Sequence, residues 1–510
     1  MATFLSSKFL VFVALLSFVL YNVISRISLY FARRRFKQQN GCKPPRRAGY
    51  SRFLFGVDSM AESIRWAKEH RITKLFQIRY NTWGHTHAAE RFGRPVIQTI
   101  EPENIKAILS TKFKDFALGP FRQETMGHFL GSGIFTTDGD DWATSRHMIR
   151  PNFTRDQVAD LAAFERHIQD LFAAIPRDGS TVELQELFFR FTIDSATEFL
   201  FGQSVRSLRR AGSTEDAENH FAEAFQAGQE DCLKRMQMGP LRFWAKPTKI
   251  GDQTAVQIAH EYVDQFVDRA VSYRDSLDAE KHPEMDSKKY VFLHELAKQT
   301  KDKKRIRDEL LNVLLAGRDT TASLLGNMFN VISRRPDVWQ KLRAEVGQLE
   351  GKPPTYEQLK DLKYLRQCLN ESLRLHPVVP GNSRTAIRDT VLPVGGGEDG
   401  KSPVFVPKNG LVSYSVFAMH RRKDLYGEDA EEFKPERWAT LRPGWEYLPF
   451  NGGPRICIGQ QYALAEASYV TARIVQEFAR IECRDEEEWQ EQVTLTMCSN
   501  RGALVSLAPA

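Results

Sequence analysis

Ten residues near the C-terminus are the most informative part of this chain: Phe450-Asn451-Gly452-Gly453-Pro454-Arg455-Ile456-Cys457-Ile458-Gly459. Two glycines and a proline make a tight, rigid turn. Cys457 closes it, immediately before a helical run over Ile458–Ala479. Free backbone N–H groups and the dipole of a helix N-terminus favour a thiolate, so this thiol is expected to have a depressed pKa. Gly459 lets backbone approach the sulfur closely. Arg455, two residues away, suits an anionic group on the same ligand. A lone buried cysteine is usually a small hydrophobe, and Cys42, Cys232, Cys368, Cys483 and Cys498 read that way. None of the six stands in a CxxC spacing, and six are few for 510 residues. A disulfide framework is not expected, and a reducing compartment fits better.

Three further segments are out of place in ordinary secondary structure. Glu371-Ser372-Leu373-Arg374 puts an acid and a base at i,i+3, by itself a minor surface pair. It precedes Leu375-His376-Pro377, and Pro435-Glu436-Arg437-Trp438 follows downstream. Ala316-Gly317-Arg318-Asp319-Thr320-Thr321 lies inside Glu309–Asn330, the clearest helix of the chain. A glycine, a carboxylate and two hydroxyls there weaken or compete with the backbone ladder. Trp142-Ala143-Thr144-Ser145-Arg146 sets an indole and a guanidinium one helical turn apart.

Together these segments resemble the cytochrome P450 superfamily. The cysteine loop fits FxxGxRxCxG at Phe450, Gly453, Arg455, Cys457 and Gly459. The resemblance implies a mainly α fold with small β-sheets (α+β), a single large haem domain, and Cys457 as the thiolate ligand of haem b iron. It implies that Arg437 joins Glu371 and Arg374 in a buried triad that holds the cysteine loop and helps haem insertion. It assigns Thr320 to hydrogen-bonding dioxygen and Asp319 to proton delivery, in a groove where the helix opens. Trp142, Arg146, Arg384 and Arg455 occupy the places of groups that bind the haem propionates, where charge pairing in a dry pocket is the physical logic. His147 and His376 read as structural.

The N-terminus is expected to be a membrane anchor. Phe9–Ile24 is apolar apart from Ser17 and Asn22, and Ile27–Ala32 extends it. Arg33-Arg34-Arg35 ends the stretch with no small-residue cleavage site, which argues against a removed signal. Residues 1–50 hold nine bases and no acid. The net charge of +7 is therefore a property of this end, and a nucleic-acid partner is not expected. One base precedes the apolar stretch and eight follow, which sets the body on the cytosolic side, in the endoplasmic reticulum membrane by resemblance to the microsomal class. Residues 1–47 form the anchor (span about 9–25) and a basic linker stiffened by Pro44-Pro45, and residues 48–510 the haem domain.

Within the body, Leu75–Tyr80 and Val96–Ile100 read as strands, 102–376 as mostly helix, 378–416 as strands, and Val493–Leu507 as a hairpin turning near Asn500-Arg501-Gly502. Lys281–Lys289 and Asp485–Glu491 read as solvated. Gly395–Gly400 satisfies GxGxxG, but Pro403 and Pro407 follow it, so it reads as a hairpin loop and not a dinucleotide site.

The implied reaction is monooxygenation of a lipophilic substrate with O2, electrons coming from a separate NADPH-dependent reductase. Ser383–Ala386 to Gly397, Ser413–Arg422 and Gly459–Leu464 are similar to the fungal branch that hydroxylates n-alkanes and fatty acids. Phe121, Phe129, Phe135, Phe221, Phe225 and Phe243 are candidate pocket lining. The alternative is the same chemistry on a terpenoid, polyketide or other intermediate of fungal secondary metabolism. A haem-thiolate isomerase is a third class, against which Asp319-Thr320 argues.

Overall fold

A computed structural model describes residues 2–50, 56–91, 93–154, 161–209, 217–279 and 291–510. Its axis is the helix Lys303–Ile332, 30 residues long, whose N-terminus Asp302 caps by accepting the Arg305 N–H at 3.0 Å. Beyond its charged, exposed first turn it is enclosed by other elements along almost its whole length. Its first half (Ile306, Leu310, Leu311, Leu314) joins one hydrophobic core with the helices Pro120–Leu130, Ala217–Met238 and Ala255–Ala279. Its second half (Leu324, Leu325, Met328, Phe329) joins another with Leu184–Phe201 and Gln460–Glu477, where the Phe188 and Phe329 rings sit 5.2 Å apart. Between Asp308 and Asn330 every residue is buried except Ala316, Gly317 and Thr320. These three share one face and stand where one core gives way to the other.

The strands form five small sheets among the described residues. The largest has six strands in the order Arg46–Arg47, Thr86–Arg91, Arg94–Thr99, Leu411–Ser415, Gly381–Ala386, Phe116–Ala117. A hairpin, Thr390–Gly396 with Ser402–Val406, carries the Gly395–Gly400 loop at its tip, as the prolines require. The fold is mainly α with small sheets.

Several expectations are corrected. Leu75–Tyr80 is helical, within Ile72–Trp83. Its buried residues Thr73, Leu75, Arg79 and Tyr80 do not alternate, and a strand would have turned Tyr80 away from Leu75. Thr86–Arg91 takes the strand's place against Arg94–Thr99. The hairpin near residue 500 does not form across Gly502. Met497–Ser499 pairs instead with Glu491–Val493, and Leu504–Pro509 pairs with Phe478–Cys483 and Val182–Glu183. Asp485 and Glu491 are buried, the first ion-paired with Arg501, the second accepting the Thr73 N–H at 2.8 Å. Lys281–Lys289 lies outside the described residues.

The N-terminal helix runs unbroken over Ala2–Gln39, through the basic run. Phe9–Phe31 exposes its large apolar side chains, and this is the one described helix long and apolar enough to cross a membrane. Its last turns are seated on the body. Arg33 makes two 3.0 Å hydrogen bonds to Asp389, and the Phe36 ring lies 5.7 Å from that of Phe405. Pro44-Pro45 is not a free spacer: the Pro44 carbonyl accepts the Gly397 N–H at 3.0 Å, and Pro45 bridges Gly396.

Three of the helices meet at Glu466, buried and without a cation partner among the described residues. Ser195 Oγ donates to it at 2.7 Å, and Thr321 also bonds it. Burial pushes its carboxyl from the ordinary 4.5 to about 7. Between those values the folded chain binds more protons than the unfolded one, so stability falls as pH rises through that window. Glu466→Gln is expected to be more stable than the natural protein by about 3 kcal/mol above pH 7, and to lose that advantage towards pH 4.5. Urea denaturation at the two pH values checks this; an unchanging gap would refute it.

Candidate active site

The cysteine loop is shaped by backbone. The Cys457 N–H donates to the Phe450 carbonyl at 3.0 Å, and the Ile456 N–H to that of Gly453 at the same distance. Gly453 has φ 67°, and a Cβ there would overlap the Leu109 carbonyl, so only glycine fits. Gly459 directs its N–H at the sulfur, and Arg146 adds a positive charge. Both favour the thiolate and oppose the desolvation that pushes the Cys457 thiol up. The helix begins only at Gln460, so the sulfur stands short of the cluster of free N–H groups. Cys457 lines an open recess of about 760 Å3 together with Trp142, Arg146, Phe153 and Ile458.

Around the loop the chain gathers arginines. Arg384 is buried and donates to Asn382 Oδ1 at 3.1 Å; Arg122 shares that oxygen at 2.9 Å. Arg455 donates to the Thr137 carbonyl and to Asp138 Oδ1, both at 2.8 Å, with its guanidinium 4.5 Å from the Trp142 ring centre. Arg146 donates to the Ile456 carbonyl at 3.1 Å. Burial pulls Arg122 and Arg455 down to about 10; Asp138 opposes this at Arg455, while Arg384 adds to it at both. Arg122 and Asp138 are not singled out by the sequence, although both lie in Pro120–Asp138, a segment that the resemblance implies lines the pocket. One carboxylate among four neighbouring arginines leaves a surplus of positive charge. Two carboxylates of a ligand would answer most of it, and with the Cys457 thiol this donor set fits a haem.

The face of Ala316, Gly317 and Thr320 borders interior space, but the helix does not open there. The Thr320 hydroxyl donates to the Ala316 carbonyl at 2.7 Å. Asp319 is buried and paired with Arg318 at 2.8 Å; burial pushes its carboxyl up and Arg318 opposes this. Arg318 also donates to Gln226 at 3.0 Å and lies 5.2 Å from the Phe189 ring centre. Of the pocket phenylalanines, Phe129, Phe221 and Phe225 are fully buried core, with Phe221 stacked 4.2 Å from Tyr262. Phe135 is half-buried, and Phe121 and Phe243 are at the surface.

Glu371 and Arg374 are completely buried and joined by two hydrogen bonds of 2.9 and 2.8 Å. Arg437 reaches the same carboxylate at 2.9 Å, Trp438 Nε1 at 3.0 Å and the Lys434 N–H at 2.9 Å. Arg374 also binds the carbonyls of His420, Ala430 and Glu432. His420 passes the constraint on, accepting the Leu448 N–H at 3.0 Å, two residues before the cysteine loop. His376 is buried against Trp489, and burial holds its pKa far below the usual range. Glu371→Gln removes the shared charge and is expected to cost about 3–5 kcal/mol, read as a drop in the urea midpoint. A change below about 1 kcal/mol would mean the network is not the restraint its geometry describes.

The Cytochrome P450 family model matches residues 60–505. The chain is 50% identical to Cytochrome P450 monooxygenase himC of Aspergillus japonicus, over 95% of this chain and 87% of that one. It is 46% identical to Cytochrome P450 monooxygenase fsdH of Fusarium heterosporum, over 95% and 86%. It is 44% identical to Cytochrome P450 52A3-A of Candida maltosa, over 89% of each. With a family match of this extent and relatives similar over nearly their whole length, the chain belongs to the cytochrome P450 family, the monooxygenases whose haem iron takes a cysteine thiolate ligand.

Proposed function

We propose that this monooxygenase hydroxylates the terminal carbon of a fatty acid or n-alkane. The observation that carries the substrate side is the charge balance beside Thr320. Arg318 and Asp319 neutralise each other, so the face of Ala316, Gly317 and Thr320 offers no counter-charge to an ionised group and suits a hydrocarbon end. The similarity to Cytochrome P450 52A3-A, and the motifs shared with the alkane- and fatty-acid-hydroxylating branch, support the same reading.

Haem b ligated by Cys457 supplies the redox chemistry: O2, two electrons and two protons give one oxygen atom to a C–H bond and one to water. The chain's residues do the rest. Arg384, Arg455, Arg146 and Trp142 would hold the propionates, with Arg122 beside them. Phe450, Gly453 and Gly459 shape the loop that would present the thiolate. Thr320, whose hydroxyl now donates to the Ala316 carbonyl, would hydrogen-bond dioxygen, and Asp319, paired with Arg318, would deliver a proton. Glu371, Arg374 and Arg437 position the loop without touching the reaction. A terminal C–H is the hardest to activate, so the pocket must present the methyl end by shape.

Residues 1–47 anchor the protein in the endoplasmic reticulum membrane, and residues 48–510 face the cytosol, where an NADPH-dependent reductase supplies the electrons. Reduction across a shared membrane surface needs both proteins held in one plane. A second reading is the same chemistry on a terpenoid, polyketide or other intermediate of fungal secondary metabolism.

Microsomes carrying the protein, its reductase and NADPH are expected to convert a mixed panel of fatty acids and alkanes to terminally hydroxylated products. Intact haem by carbon-monoxide difference spectrum with no product would sink this reading in favour of the second. Cys457→Ala is expected to abolish turnover and Cys483→Ala to retain it; equal activity in the two would defeat the ligand assignment.

A further inference from the structure

We propose that Arg242 is the anchor for the carboxylate of a long-chain acid, and that Glu124 occupies it when no acid is bound. The inference rests on the fatty-acid reading above and narrows it from hydrocarbons in general to acids.

Arg242 lies in the tight turn Gly239–Trp244, which follows the helix Ala217–Met238. Its neighbours Leu241, Phe243 and Trp244 are 51, 70 and 74% exposed, an apolar surface on which a lipophilic chain can settle. The Arg242 side chain is only 14% exposed, covered in part by the Phe243 ring. Its guanidinium lies 4.5 Å from the Phe243 ring centre and 5.4 Å from that of Phe121. The Gly239 carbonyl accepts from Nη1 at 2.8 Å. Glu124 pairs with Nη2 alone, and Nε is buried with no hydrogen-bond acceptor among the described residues.

That arrangement is unfinished. The Nε and Nη2 N–H groups form one edge of the guanidinium, spaced for the two oxygens of a carboxylate. Glu124 satisfies half of that edge, from a side chain 37% exposed on the neighbouring helix Pro120–Leu130. A carboxylate arriving on a flexible chain can take both N–H groups and release Glu124 to water. A buried donor left unpaired is costly, so the exchange completes a bond that the internal pair does not.

The position of Arg242 suits the reaction. The Ala217–Met238 helix carries Gln226, which bonds Arg318 beside Asp319 and Thr320. From Gln226 to the end of that helix is about 18 Å at the α-helical rise. A cation with an unused edge thus stands at one end of the helix, and a self-neutralised pair at the other. An acid held by its head at Arg242 brings an uncharged tail towards Thr320, which is the orientation terminal hydroxylation needs.

Palmitate and cetyl alcohol share a chain length and differ in the headgroup. Their binding to the haem-loaded full-length protein is read from the substrate-induced absorbance shift, on samples scored as correctly loaded by carbon-monoxide difference spectrum. Arg242→Ala is expected to weaken palmitate about tenfold and leave cetyl alcohol within about twofold. Glu124→Gln is expected to tighten palmitate and leave the alcohol unchanged. Equal losses for both probes in R242A, or no change in palmitate in either variant, would overturn the anchor while the fatty-acid reading stands. A natural protein that binds neither probe would overturn both.

Discussion

The C-terminal third of the chain is organised by one buried carboxylate. Glu371 accepts from Arg374, Arg437, Trp438 and the Lys434 backbone, and none of these bonds reaches bulk water. Removing an ion from water costs several kcal/mol, so such a centre persists only if every lone pair and donor is satisfied. Two arginines on one carboxylate leave a surplus. Asp429 takes up part of it at Arg437, and carbonyls of residues 420, 430 and 432 take up the rest at Arg374. The segment between His420 and Arg437 is thereby wrapped around the charge. Burial keeps the His420 imidazole neutral, its pKa held down to about 3, so one nitrogen can donate to the Arg374 carbonyl while the other accepts from Leu448. The cysteine loop inherits its position from this chain of contacts.

The parts of the site that could be read from the sequence are those whose residues are locally out of place. A Gly-Gly-Pro turn ending in a cysteine has few ordinary uses, and neither has a glycine beside a carboxylate inside an apolar helix. Arg122 and Asp138 had no such signal. A single arginine or aspartate has many surface roles, and these two acquire theirs only by meeting Arg384 and Arg455 from far along the chain. Leu75–Tyr80 was misread because six residues of mixed polarity fit either period. The Met497–Leu507 region was misread because a turn signal fixes a reversal but not the partner of each strand, and here both strands pair elsewhere.

The electrostatic layout divides into three zones of different balance. The triad is closed, with each charge answered within the fold. The Arg318–Asp319 pair is closed too, a buried carboxylate answered by the guanidinium beside it. The arginine group around Asn382 is open, with more positive charge than the chain itself answers. On the proposed haem placement, that surplus is what would draw an anionic cofactor to the site.

The docking of the N-terminal helix bears on how the protein sits in a bilayer. From Phe9 to Ala32 the apolar stretch is about 36 Å long, against a hydrocarbon thickness of about 30 Å. On the proposed membrane placement, the helix must lean to match that thickness. A flexible tether would absorb the lean. This helix continues without a break into the Arg33–Asp389 clamp and the Phe36–Phe405 contact, so it acts as a lever fixed at one end. A thicker membrane would stand it upright and rotate the whole catalytic body with it. Lipid composition thereby becomes a control on the attitude of the enzyme to the surface from which its substrates come.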